Sequence, residues 1–446
     1  MADRLNLLIV HCHDLGQYLH CYGKETVRSP NLDAFAREGV RFENHFCTAP
    51  QCSPSRASIF TGRYPHCNGV MGLAQPPLNW ELNEDEIHLG QVLNSAGYRT
   101  AAIGVIHETH SGPERCGYQE YHRDRYARPA ADRACGLLPG LAAGEEPFYL
   151  SVGFVEPHKL PYEDREGWLP RDHSWPGEHL EPDDGLGVDV PPYIADTPGA
   201  RQEVAGLQGA VRHVDAQFGR IYAKAKECGL CENAVIVFTT DHGIAMPRAK
   251  CSLYEPGVNT ALIMRAPREG WREGAVYEEL ISNIDLVPSV LELLNVETPE
   301  KVQGRSFRPL VEGGEYRKNE QLFTEMTYHT YYDPMRAIRT EGYKLIACFS
   351  TAPRFMEPGQ RRRPLSDPWY APETGHGGFH QDMELYDLEK DPWEKHDVSG
   401  TEAYAEVKQE LMQRLYQQMV RTDDPLLEGA VPDPQYTTTM QMLRQA

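Results

Sequence analysis

No apolar stretch of this 446-residue chain approaches the roughly 20 residues a membrane-spanning helix requires. The first one, LLIV within MADRLNLLIVHCHD, is also shorter than a secretory leader's core and follows charged residues. Both absences give the expectation of a cytoplasmic protein with no signal peptide and no membrane contact. An excess of positive charge is missing too. Lys plus Arg number 44 against 65 Asp plus Glu, for a formal net charge of −21. Such a surface holds neither nucleic acid nor an anionic membrane, so an anionic substrate needs its positive charge concentrated in a pocket. The 11 cysteines have no framework spacing, which excludes a disulfide-stapled scaffold and reads as mostly reduced thiols. The lone C-x-x-C, Cys228 to Cys231, has no second pair at matching distance and reads as a helix end capped by Gly229 rather than a zinc or redox site. Internal repeats and low-complexity tracts are absent as well.

What is present alternates. Strand-like runs at 5–10, 98–104, 148–154, 234–241 and 260–267 are interleaved with helical patterns at 31–39, 87–97, 199–228 and 286–294. That alternation predicts an α/β fold with a doubly wound, mostly parallel sheet covered on both faces. After about residue 333 the texture changes. MRAIRTEGYKLIACF (335–349) predicts a hairpin turning at Glu341-Gly342. A Pro- and Arg-rich loop (353–371), a strand MELYDL and a helix near 402–421 follow. The expected organisation is a catalytic α/β domain over 1–333 and a C-terminal α+β subdomain over 334–446, made of a small antiparallel sheet with one helix packed on it. Residues 159–198, rich in Pro, Asp and Gly, predict a long surface excursion.

Doubly wound sheets bind ligands at the carboxyl ends of their strands. Directly after the predicted strands come His11, Cys12, His13 and Asp14, then His107, then Glu156 and His158, then Asp241 and His242. One such residue means little; four strand ends delivering carboxylates and imidazoles point to a metal or anion site. Asp14, Asp241 and His242 suit a divalent cation, and Lys250 and Arg56 are candidate anion donors. Cys52 and Arg56, four apart in CSPSRASIFTGR, share one face of a helical turn whose positive end points at Cys52.

That segment resembles the signature of the formylglycine-dependent sulfatases, Cys-x-Pro-Ser-Arg followed by Thr-Gly-Arg. NLLIVHCHDLG, GYRTAAIGVIH, FVEPHKLPY, VFTTDHG and ELYDLEKDPWEKHDV are similar to further segments of that family, so the resemblance runs along nearly the whole chain. CSPSRASIFTGRYPHCNGVMGL, VPPYIADTPGAR and LYEPGVNTALIM most resemble its sulfamidase branch, which acts on N-sulfated glucosamine. The resemblance implies an alkaline-phosphatase-like fold and a hydrolase of sulfate esters or sulfamates. It implies that a formylglycine-generating enzyme oxidises Cys52 during maturation, and that the hydrated aldehyde attacks sulfur. It assigns Asp14, Asp241, His242 and the modified Cys52, with His13 beside them, to one divalent ion. Arg56 would orient the formylglycine, His107 would lie near the diol, His158 would protonate the leaving group, and Lys250 would bind sulfate.

Three positions depart from the family pattern. His13 stands where the family has aspartate, His242 where it has asparagine, and Val105 where it has a sulfate-binding lysine. Nitrogen donors argue for manganese beside the family's calcium, and Lys159 is a candidate for the missing charge. Two alternatives follow: a phosphonate monoester or phosphodiester hydrolase of the same superfamily, and an anion-binding homologue without catalysis. A small sulfated substrate is the expected partner, and a homo-oligomer is compatible with the sequence.

Overall fold

A seven-residue run too apolar for one exposed face becomes the centre of the molecule. Asn6–Cys12 (β1) is buried along its whole length and is flanked on both sides by parallel strands. The computed structural model describes residues 4–161, 173–174, 181–329, 331–352 and 379–445. The loop expected at 353–371 lies outside them, as do 162–172 and 175–180 of the expected excursion. Within the described residues, β2 (Val40–Phe42), β3 (Arg99–Gly104), β4 (Glu120–His122), β5 (Phe148–Gly153), β6 (Ala234–Thr240), β7 (Leu262–Arg265) and β8 (Ala275–Tyr277) join β1 in one sheet of order β8-β2-β7-β6-β1-β5-β3-β4. All neighbours pair in parallel except β7, which runs antiparallel to both β2 and β6.

The pleat of β1 sends Leu8 and Val10 to one face and Leu7 and Ile9 to the other. The first face is covered by α1 (Pro30–Glu38), α3 (Ala127–Ala142) and α4 (Pro198–Glu227). The second is covered by α2 (Cys52–Thr61) and α5 (Leu286–Leu293). Both faces are therefore dry, as the uninterrupted apolar strands require. Gly229, at φ 71°, follows α4 in the left-handed conformation expected for the C-x-x-C segment.

The second sheet is antiparallel: β9 (Leu322–Tyr328), β10 (Tyr332–Arg339), β11 (Tyr343–Cys348) and β12 (Met383–Asp387), in that order. Leu322 pairs with Arg339, so a division at 333/334 runs through β10, and we propose a boundary ahead of Leu322 instead. One face of this sheet packs Phe323, Ile338, Leu345 and Leu385 against Leu411, Leu415 and Met419 of α6 (Ala405–Arg421). The opposite face packs against Phe46, Cys251, Leu253 and Tyr254 of the larger unit.

A buried ion-pair chain fastens this sheet to the segment after α2. His66 Nδ1 lies 2.7 Å from Glu325 Oε1, Glu325 Oε2 lies 3.3 Å from Arg336, and Arg336 grips Asp424 at 2.5 Å. Burial alone would lower the His66 imidazole, but Glu325 and then Cys67 outweigh it and raise it to about 10. A raised histidine stabilises the fold fully below its unfolded value, about 6.5, and loses that contribution as pH climbs through the folded value. Denaturant midpoints are therefore expected to fall between about pH 6.5 and pH 10 in the wild type, and to fall less in His66→Gln. Equal slopes would remove His66 from the joint.

Candidate active site

The register of the central strands assembles the site. Cys12 pairs with Thr240, so the residues after β1 and after β6 emerge side by side at the carboxyl edge. Asp14 there adopts φ 48°, a left-handed conformation that aspartate tolerates better than most residues and that concentrates at functional sites. Its backbone N–H donates to Asp241 Oδ1 at 3.0 Å. Gly243 closes the second turn where only a missing Cβ fits, since a Cβ would fall 1.8 Å from the Pro256 carbonyl oxygen.

Cys52 is the first residue of α2 and is 2% exposed. Its Sγ lies 3.4 Å from His242 Nε2, which is itself 3.3 Å from Asp14 Oδ1 and 3.7 Å from Asp241 Oδ1. His242 Nδ1 faces the Gly243 carbonyl at 3.0 Å. A carbonyl only accepts, so Nδ1 carries the proton and the Nε2 lone pair faces the carboxylates. Asp14, Cys52, Asp241 and His242 offer donor atoms all within 4.8 Å of one another, and so do His13, Asp14, Cys52 and His158. His13 Nδ1 sits 2.9 Å from Asp241 Oδ2, yet neither atom, nor His13 Nε2, makes a hydrogen bond. Buried imidazole nitrogens without a hydrogen bond, set beside carboxylates, fit a divalent cation. The expected ligands thus converge, with His13 among them.

Electrostatics agree with that use. Burial alone would raise the Asp241 carboxyl, but His242, His13 and Arg56 hold it well below the usual carboxylate range. Burial pushes His13 well below the usual imidazole range and lowers His107 to about 4, with Arg56 adding to both. His107 therefore rests neutral and keeps a lone pair. Burial also pushes the Cys52 thiol up to about 12, against the pull of Lys250, so an unmodified thiol here is a poor nucleophile.

The remaining candidates separate. Lys250 Nζ lies 2.9 Å from Asp14 Oδ2 and 2.9 Å from His158 Nε2, inside the cluster. His107 and His158 stand edge-on to His13, with ring centroids 5.5 and 5.3 Å away. Arg56 turns its guanidinium onto Asp241 Oδ2 (3.2 Å), the Cys12 carbonyl (3.0 Å) and His11 Nδ1 (2.6 Å), so it braces the site's carboxylate and strand end. Lys159, a candidate for the charge missing at Val105, is salt-bridged to Glu203.

The family model described as Sulfatase matches residues 6–296. The chain belongs to the sulfatase family. A second model, described as N-sulphoglucosamine sulphohydrolase, C-terminal, matches residues 247–357 of this sulfatase. The human N-sulphoglucosamine sulphohydrolase is 26% identical, over 94% of this chain and 91% of its own. An ulvan-active sulfatase of Formosa agariphila is 23% identical, over 97% and 84%. A solved structure of a protein in complex with its substrate D-glucosamine-2-N,6-O-disulfate superposes with a TM-score of 0.71 at 20% identity, covering 94% of this chain and 98% of that one. The phosphonate monoester hydrolase of Silicibacter pomeroyi superposes with 0.69 at 20% identity, covering 95% and 97%. These likenesses fit the alkaline-phosphatase-like architecture expected from the sequence, and family membership makes the sulfatase a hydrolase. Among the described residues no helix is long and apolar enough to cross a membrane.

One site residue was passed over in the sequence, although it stands in the strand-end list. His11 accepts from Arg56 at Nδ1, so its Nε2 carries the proton toward Ser151 Oγ at 3.0 Å. Its ring fits because Gly153 has no Cβ, which would lie 2.5 Å from His11 Cε1. His11→Leu would leave a buried Arg56 N–H without an acceptor, costing about 1–3 kcal/mol of stability. Chemical denaturation checks this, and an unchanged midpoint would contradict the role. Glu108 was missed as well. Its carboxylate accepts from the His107 backbone N–H at 2.8 Å and lies 3.4 Å from His88 Nε2; no spacing rule announces that contact.

Proposed function

We propose that this sulfatase removes sulfate from a sulfated amino sugar, with N-sulfated glucosamine as first choice. We further propose that Cys52 works as formylglycine, installed by a formylglycine-generating enzyme. The observation that carries the reading is Cys52 at the start of a buried helix, with its Sγ among Asp14, Asp241 and His242. The sulfamidase-like C-terminal match and the human relative support the substrate class. Formylglycine at position 52 would supply a hydroxyl nucleophile toward sulfur and a second hydroxyl to release the sulfate.

Asp14, Asp241 and His242, with His13 beside them, would hold one divalent ion, whose charge would polarise the sulfate oxygens. Calcium is the first choice from the resemblance and manganese the second, because two of the donors are nitrogen. Lys250 neutralises the sulfate's remaining charge as a point donor. Arg56 holds the Asp241 carboxylate in place, and His107 walls the pocket beside His13.

His158 delivers a proton to the leaving group. Its Nδ1 faces the Lys159 carbonyl at 2.5 Å, so Nε2 accepts from the Lys250 ammonium. Burial first, with Lys250 adding to it against the opposing pull of Asp14, lowers the ring to about 4. It therefore rests neutral, and the negative charge of a bound sulfate would favour the protonated ring that acts as the acid. A positioned acid supplies about 10²–10⁴-fold when the leaving group is poor. His158→Ala should cost sugar sulfates or sulfamates that factor while leaving nitrophenyl sulfate nearly unchanged. Equal losses on both substrates would rule out the acid role.

A second reading, phosphonate monoester hydrolysis, is favoured by Val105 in place of a lysine and by the superposition on the Silicibacter enzyme. Rates on N-sulfated, O-sulfated and phosphonate substrates, measured on one preparation, decide between them. A kcat/KM for the phosphonate above that for every sulfate would reverse the reading.

A further inference from the structure

Three segments of the chain bring an aromatic pair and one unmatched cation together on the edge of the sheet that carries the catalytic residues. In a parallel sheet, the segments between a strand's carboxyl end and the next helix lie on that edge. Residues 15–29 run from β1 to α1, and residues 181–197 lead into α4, so both stand on the same edge as Asp14 and Asp241. Lys24 comes from the first segment and Tyr193 from the second. Trp393 comes from the loop after β12. Its neighbour Glu394 accepts at its backbone carbonyl from the buried Arg248 guanidinium, two residues before Lys250.

The Tyr193 and Trp393 rings pack at a tilt, with centroids 5.7 Å apart and planes 43° apart. Lys24 Nζ stands 5.4 Å from the centre of the Trp393 ring. Tyr193 is 4% exposed, whereas Trp393 and Lys24 are half-buried, so the group offers a partly open aromatic surface with an ammonium over it. Two of its polar groups lack the partners that packing normally supplies. Among the described residues, the Lys24 ammonium makes neither an ion pair nor a hydrogen bond. Burial lowers its pKa, and Asp189 opposes that only from longer range. With 65 acidic residues against 44 basic ones, a half-buried lysine left without a carboxylate is the uncommon case. The Tyr193 hydroxyl also finds no hydrogen-bond partner among the described residues, although buried phenols usually do. Tyr18 nearby shows the usual arrangement, donating to the Asp189 carbonyl at 3.4 Å.

We propose that Lys24, Trp393 and Tyr193 form a subsite for a second, anionic sugar unit, so that this sulfatase takes an oligosaccharide rather than a single sugar. The indole would receive the C–H face of the sugar ring, as an apolar surface with a polar edge does. The ammonium would meet a sulfate or carboxylate as a point charge, and the phenol would bond a ring hydroxyl. In an otherwise acidic surface, such a cation also decides which end of a polyanionic chain can approach. The proposal rests on the reading of the substrate as a sulfated amino sugar and adds the neighbour of that sugar.

Calorimetric binding to the full chain carrying Cys52→Ala, which cannot turn over, tests it. The probes are N-sulfated glucosamine alone and disaccharides joining it to a sugar that bears a sulfate, a carboxylate or no charge. An anionic disaccharide should bind about 10-fold or more tightly than the single sugar, and the gain should shrink as salt rises. The larger gain of the two identifies the anion. Lys24→Met keeps the side-chain stem against Trp393 and should erase the charged gain while leaving the single sugar unchanged. Trp393→Ala should erase the gain for every disaccharide and Trp393→Phe should keep most of it, which separates stacking from a loss of folding. Equal affinity for single sugar and disaccharides, or a charged gain that survives Lys24→Met, would overturn the subsite. Hydrolysis of N-sulfated glucosamine by the unaltered chain is measured beside it. Its absence together with a Lys24-dependent gain would remove the amino-sugar reading and keep the subsite, and its presence without the gain would do the reverse.

Discussion

Cys52→Ala is expected to lower kcat by a factor on the order of 10⁶, the scale seen when a covalent nucleophile is removed. The fold should be unaffected. Cys52 is small and buried at the first position of α2, where alanine continues the helix without a clash, and its side chain carries no ion pair. Metal content should stay near one ion at this site, because Asp14, Asp241 and His242 remain. Serine at 52 separates formylglycine from an ordinary hydroxyl. It keeps an oxygen nucleophile but has one hydroxyl instead of two, so turnover is expected to stop after a single sulfate transfer. Rapid-quench kinetics with a nitrophenyl sulfate reads this directly. Steady turnover by the serine variant would mean that the second hydroxyl is unnecessary.

Asp241→Ala is expected to remove the site's divalent ion and to lower kcat/KM by at least about 10³-fold, since a catalytic metal contributes several kcal/mol. Asp241 has three duties in this structure. It accepts the Asp14 backbone N–H, faces His13 Nδ1, and pairs with the buried Arg56 guanidinium. Breaking a buried pair from one side costs about 3–5 kcal/mol, so lower stability is also expected. Asp241→Asn keeps the volume and the turn and should lose metal with a smaller loss of stability. Metal analysis beside unfolding midpoints separates the two effects. Full metal content and rate in Asp241→Ala would place the catalytic centre elsewhere.

Much of this was legible before the structure. Strands buried on both faces are continuous apolar runs, so β1, β5 and β6 announce themselves, and a doubly wound sheet then dictates which edge carries chemistry. His13, Asp14, Asp241 and His242 followed from that rule alone. The illegible parts have physical reasons. α3 escaped notice because ARPAADRACGLLPGLA carries two prolines and two glycines, and packing overrides their poor propensity. β9 was hidden because LFTEMTY carries the buried Glu325, whose charge is met by His66 and Arg336 from distant parts of the chain. The same holds for Lys159, whose salt bridge to Glu203 on α4 is a contact that only the tertiary fold makes. His11 sat in plain view, yet its role as the acceptor for Arg56 depends on α2 crossing the sheet edge, which periodicity does not encode.

The central claim is that this sulfatase works through an oxidised residue 52 rather than through a thiol. Mass spectrometry of the proteolytic peptide spanning CSPSR, on preparations with different degrees of maturation, tests it most directly. The account predicts that the sulfur at residue 52 is replaced by an aldehyde, and that specific activity rises in proportion to the converted fraction and extrapolates to zero for unconverted protein. Full activity in a preparation whose residue 52 is entirely thiol would contradict it.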